Sequence, residues 1–185
     1  MRGGERAQGA LKVLGVDPGS AVTGWGLIER QNGDVVHLQH GTIRLGARAS
    51  LPVKLETIHR ELAACCARTR PDVVALEKSF VGRNVQSAFR LGEVRGIVML
   101  VAAQAGLGVA EYSPAEVKLA IAGTGRAEKA QVGRAIVREL GLPGSVATDA
   151  ADALAVALCH LYSVRMRSML AGPESGRSPA MGWTA

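Results

Sequence analysis

A chain of 185 residues that is 48% hydrophobic can bury one sizeable core and is too short for two ordinary domains. Aromatic residues make up only 3%, so the core has to be built from Val, Leu, Ile and Ala, which suits helices packed closely on a sheet. A formal charge of +6 and a pI near 9.7 favour an acidic partner such as nucleic acid, and no run of about 18 uncharged apolar residues offers itself as a membrane span.

The opening stretch MRGGERAQGA carries charge and glycine but no apolar leader segment, so residues 1–10 read as a flexible N-terminal extension and the protein as cytoplasmic. Leu11 to Asp17 (LKVLGVD) is an apolar strand cut off by Pro18-Gly19. Val22 to Glu29 and Val35 to Ile43 make two more strands, and Asn32-Gly33 supplies the turn of a β-meander. Leu55, Ile58 and Leu62 recur at helical spacing within Pro52 to Arg70, and Pro71 ends that helix. The strand VVALE (Val73 to Glu77) follows, then a long helix from Val85 to Ala105 stopped by Gly106, and a short strand from Val109 to Tyr112.

Ser113, Pro114 and Glu116 are an N-cap, a first-turn proline and a capping-box acid in the expected order. After a Gly123-Thr124-Gly125 loop, a helix spans Ala127 to Leu140 and stops at Gly141 and Pro143, and a last one runs from Asp149 to Met166. The end of the chain, rich in Gly, Pro and Ser from Gly172, reads as a flexible tail over 168–185, which leaves 11–167 as the folded domain. Cys65, Cys66 and Cys159 have neither disulfide-framework nor zinc spacing and read as small core residues. This order of elements predicts a ribonuclease H-like α/β fold. Its five-stranded mixed sheet is flanked by helices, with the meander antiparallel and strands one, four and five parallel.

That topology gives four acids a common location. Asp17 and Glu77 each close an apolar strand, and open α/β sheets bind ligands outside the carboxyl ends of their parallel strands. Asp149 and Asp152 are three apart and share one face of a helix, and the alanines at 150, 151, 153 and 155 let that helix lie close to the sheet. Each acid has a structural explanation of its own: Asp17 as a turn initiator, Glu77 as a strand end meeting water, Asp149 and Asp152 as helix-start acids. As a set they call for a hard divalent cation. Mg²⁺ binds through a few carboxylates while keeping waters and phosphate oxygens, and a pair of ions about 3.5–4 Å apart suits phosphodiester hydrolysis.

The stretches LGVDPGSAVTGWGLI, EKSFVGRN with the QSAFRLGEVRG that follows, EYSPAEVKLAIAGTGRAEKAQV and TDAADALAVAL stand in this order between about Leu11 and His160. Together they closely resemble the RuvC family of Holliday junction resolvases. The resemblance implies a homodimeric, Mg²⁺-dependent endonuclease, with two ions per site and Mn²⁺ able to substitute. It would make paired symmetric nicks in four-way junction DNA in recombination and repair, alongside the RuvA and RuvB branch-migration proteins. By motif position the family's catalytic, metal-binding acids fall on Asp17, Glu77, Asp149 and Asp152, although some members carry His where this chain has Asp149.

The same resemblance gives Phe80 the role of stacking on an unpaired base at the junction centre. Lys118 and Lys129 fall on positions where an ammonium would hold a phosphate, and Arg83 and Arg126 are cations available for sequence-neutral backbone contacts. Arg90, Arg95 and Arg134 are further cations available for sequence-neutral backbone contacts. The apolar half of the long helix, GIVMLVAAQAG, has to be buried on more than one side, either inside one domain or against a second subunit at a two-fold interface. Three rivals stand beside this reading. A ribonuclease H-like nuclease on another nucleic acid would share the acids. An actin-like ATPase would share Asp-x-Gly after a strand but needs two lobes, and a catalytically dead junction binder would have no use for clustered carboxylates beside phosphates.

Overall fold

The computed structural model describes residues 10–78, 85–144 and 146–171. In chain order the elements are β1 (Leu11–Asp17), β2 (Val22–Gln31), β3 (Asp34–Arg44), α1 (Leu51–Thr69), β4 (Val73–Glu77), α2 (Val85–Gln104), β5 (Gly108–Tyr112), α3 (Pro114–Ala122), α4 (Lys129–Glu139) and α5 (Thr148–Ala171). The strands lie side by side as β3-β2-β1-β4-β5. The β1–β2 and β2–β3 pairs are antiparallel, and β1–β4 and β4–β5 are parallel. This is the ribonuclease H-like mixed sheet that the order of apolar runs predicts.

Alternation along the strands divides the core into two layers. Val13, Ile28, Val73 and Ala75 face Val117 of α3, Val132 and Ile136 of α4, and Leu154 and Leu158 of α5. On the other side Leu14, Val16, Leu27, Val74 and Leu76 face Ile58 and Leu62 of α1 and Val94, Val98 and Val101 of α2. With hardly any aromatics to fill space, the sheet and helices have to approach closely. The clearest instance is Gly24 on β2, where a Cβ would stand 1.9 Å from the carbonyl oxygen of Asp149. At Gly15 on β1 a Cβ would stand 2.0 Å from the carbonyl oxygen of Ala153. Side chains at either position would push α5 off the sheet, so these two glycines and the fully buried Ala150, Ala153 and Ala157 set where its first turns lie.

The helix starts follow local chemistry. Ser113 caps α3 with the complete capping box: its hydroxyl accepts from the Glu116 N–H, and the Glu116 carboxylate accepts from the Ser113 N–H. α4 begins at Lys129, two residues after the expected Ala127, because Ala127 is buried in the core and its N–H is turned to the Thr124 carbonyl. α5 runs on to Ala171, beyond the expected Met166. Its buried stripe ends at Leu161, but nothing in the sequence breaks a helix before Gly172, so the last turns continue with Met166, Met169 and Leu170 exposed.

Candidate active site

Asp17 is the last residue of β1 and Glu77 the last of β4, two parallel neighbours. Val13, Gly15 and Asp17 alternate onto the face that α5 covers, as do Val73, Ala75 and Glu77, so both carboxylates emerge on the same side of the sheet and at the same edge. Asp149 and Asp152 lie in the first turns of α5, which the close contact at Gly24 holds beside the end of β1. Gly24 is itself paired with Asp17 in the β1–β2 ladder. The turn that follows Asp17 is pinned by Thr23, fully buried, whose hydroxyl donates to the Gly19 carbonyl at 3.2 Å and accepts from the Gly19 N–H at 3.4 Å.

Asp17, Glu77 and Asp152 line one cleft of about 210 Å³ together with Lys118 of α3 and Lys129 of α4; Pro114, Val117, Val132 and Ala155 form its apolar walls. Asp149 does not line the cleft, but its charge is felt at Asp17. Burial, then the negative charges of Asp152, Glu77 and Asp149, push the Asp17 carboxyl up to about 7, against a smaller opposing pull from Lys129. Burial and Asp152 likewise raise Glu77, opposed by Lys129 and Lys118. Lys129 Nζ sits 2.6 Å from Asp152 Oδ2, and that hydrogen bond raises the ammonium above its ordinary value.

No three His, Cys, Asp or Glu side chains among the described residues are arranged to hold a metal ion as they stand. The donor set nevertheless fits a hard divalent cation. Every candidate ligand is a carboxylate oxygen, the charge at Asp17 is incompletely neutralised, and the Lys129 ammonium already rests on one carboxylate.

The other predicted contacts divide. Phe80 and Arg83 lie outside the described residues. Arg126 is exposed in the loop between α3 and α4, and Arg134 is exposed on α4. Arg90 lines, with Lys54, a separate groove beside Ser20 and Ala21 of the β1–β2 turn. Arg95 is not a free cation. Its side chain is only 12% exposed, pairs with Glu111 of β5 and donates from Nη1 to the Glu77 carbonyl at 2.5 Å. Sequence reasoning missed this arrangement, although a charged residue in the short apolar strand GVAEY was its visible sign.

A sequence model described as crossover junction endodeoxyribonuclease RuvC matches residues 13–160. The proteins of that name from Geobacter sp. (strain M21) and Syntrophomonas wolfei are 45% identical over 160 residues and 46% identical over 161 residues. Each alignment covers 86% of this chain, and they cover 98% and 94% of those relatives. Among solved structures, T. thermophilus RuvC in complex with Holliday junction substrate superposes with a TM-score of 0.81 at 31% identity, covering 85% of this chain and 97% of that one. The yeast mitochondrial Holliday junction resolvase shares the fold, with a TM-score of 0.62 at 10% identity over 84% of this chain and 80% of its own.

Proposed function

This chain belongs to the RuvC family of crossover junction endodeoxyribonucleases, and on that premise we propose that it resolves four-way DNA junctions by paired, Mg²⁺-dependent nicks made in the Asp17 cleft. The observation that carries this reading is the gathering of Asp17, Glu77 and Asp152 in one cleft, where burial and the negative charges of Asp152, Glu77 and Asp149 hold the Asp17 carboxyl up near 7. A phosphate-binding surface that gathers uncompensated carboxylates works only with a cation between the two.

Asp17, Glu77 and Asp152 would hold that cation from the cleft, with Asp149 contributing its charge. A pair of Mg²⁺ ions held there, or Mn²⁺ in their place, would supply the Lewis acidity for phosphodiester hydrolysis. The chain's own residues do the positioning. Lys118 and Lys129 bring point charges to the phosphate from α3 and α4, and the apolar walls at Val117, Val132 and Ala155 limit bulk water around the carboxylates. Phe80 is assigned to the junction by motif position, and Arg83 and Arg126 to its backbone as cations.

The working unit is a homodimer built on α2. Val94, Val98, Val101 and Ala102 are buried against this subunit's core, while Val85, Phe89 and Leu100 on the helix are 61%, 70% and 46% exposed. This leaves Leu100 of the apolar half, and Val85 and Phe89 of the half before it, uncovered within one domain. At Gly92 and Gly96 a Cβ would meet nothing within 4 Å, which leaves room for close approach by a second α2. Two equivalent sites then face the two cleavage points of a four-way junction. We assign the nuclease domain to residues 11–167, with the last turn of α5 extending beyond it to Ala171. The protein would work in the cytoplasm with RuvA and RuvB; among the described residues no helix is long and apolar enough to cross a membrane.

Incubating the purified protein with a synthetic four-way junction and with linear duplex, in Mg²⁺ and in EDTA, tests the reading. Paired nicks in the junction alone, lost in EDTA, are expected; equal cutting of linear duplex would refute junction selectivity.

A further inference from the structure

The Glu77–Lys78 peptide is gripped from two directions. The Lys78 N–H donates to the Tyr112 carbonyl of β5 at 2.6 Å. The Glu77 carbonyl, beyond the last residue of β4 that pairs with β1, accepts from Arg95 Nη1 at 2.5 Å. Arg95 lies on α2, on the opposite side of the sheet from α5, and reaches round the strand end. Glu111 holds the other arm of the guanidinium, and the β4–β5 register places Glu111 beside Leu76, on the α2 face. The planar fork of arginine suits this bridging, because one nitrogen can serve the carbonyl while another serves the carboxylate; an ammonium cannot keep both in the same geometry.

We propose that Arg95, held by Glu111, is a positioning residue of the nuclease site: it fixes the peptide that carries Glu77 and keeps that carboxylate aimed into the cleft. The inference rests on the nuclease reading of Asp17, Glu77 and Asp152. It reassigns a basic residue of the α2 motif from backbone contact with DNA to the support of a carboxylate it never touches. Because the anchor comes from α2, the seating of the helix assigned to the dimer interface bears directly on the aim of Glu77.

Three variants, Arg95→Gln, Arg95→Lys and Glu111→Gln, test this with two independent readouts. The first is hydrogen exchange of the Lys78 amide in metal-free protein. It should quicken in Arg95→Gln and Glu111→Gln and stay closer to wild type in Arg95→Lys. The second is junction cleavage titrated with Mn²⁺. Arg95→Gln should lower kcat about 10- to 100-fold and raise the half-saturating Mn²⁺ concentration, the scale at which residues supporting metal ligands act, with junction Kd unchanged. Should Arg95→Gln not fold, Glu111→Gln carries both readouts. Unaltered exchange at Lys78 would overturn the proposal. So would a loss confined to junction Kd with the salt slope reduced by about one, the mark of a phosphate contact. Failure of wild-type protein to cut in any divalent ion would instead sink the nuclease reading, and the exchange data would still decide whether Arg95 anchors the peptide.

Discussion

Lys129 Nζ stands 2.6 Å from Asp152 Oδ2, so the cleft balances part of its acidic charge with a cation of its own. The pair is partly open to water, at 65% and 30% side-chain exposure, and contributes less than about 1 kcal/mol to stability. Lys129→Gln should therefore leave the thermal midpoint almost unmoved and reduce junction cleavage about 100-fold, the scale of losing one preorganised charge at a reacting group. Melting curves and single-turnover cleavage check both halves. A large stability loss with normal cleavage would make the lysine a scaffold residue.

Asp17 links stability to pH and to metal. Its folded value of about 7 lies above the ordinary carboxyl value of 3.8, so the folded protein binds an extra proton between those limits. The stabilisation from that proton is complete below about 4 and is lost as pH rises through 7. A divalent cation relieves the same repulsion and competes with the proton. Mg²⁺ should thus raise the melting temperature more at pH 8 than at pH 6, and Asp17→Asn should raise it at pH 8 without metal. Equal Mg²⁺ shifts at both pH values would contradict the linkage.

Gly24 sets the distance between α5 and β2. Gly24→Ala forces a Cβ to within 1.9 Å of the Asp149 carbonyl, and the resulting overpacking should cost about 1–3 kcal/mol. Displacement of the acid-bearing turn should also lower cleavage. Gly133 in α4 is the control, since a Cβ there meets nothing within 4 Å and alanine should stabilise the helix by up to about 1 kcal/mol. Denaturant melts of the two variants should move in opposite directions.

Phe89, 70% exposed on α2, reports on assembly. Phe89→Glu should shift the protein from dimer to monomer in sedimentation and convert paired cleavage into slow, uncoupled single nicks. A variant that stays dimeric and resolves junctions normally would remove α2 from the interface.

Much of this was legible in the chain itself. Strand periodicity placed Asp17 and Glu77 at adjacent strand ends, and Ser113-Pro114-Glu116 fixed the start of α3, because these signals depend on neighbours in sequence. The distance from Gly24 to the Asp149 carbonyl spans most of the chain, and nothing local in either segment announces it. Arg95 illustrates the same limit: read along α2 it is one more cation, and only the folding of β4 and β5 beside that helix commits it to Glu77 and Glu111. Asp149 was the least certain of the four acids in sequence, since some relatives carry His there; it does not line the cleft, although its charge reaches Asp17.

If the carboxylates around Asp17 cut DNA by holding a divalent cation, cleavage has to fail when one of their charges is removed. Asp17→Asn removes one charge with little change in shape, so its binding and cleavage of a labelled four-way junction in Mg²⁺ address that claim most directly. Binding at wild-type affinity and no detectable paired nicks are expected. Cleavage by Asp17→Asn at the wild-type rate would contradict it.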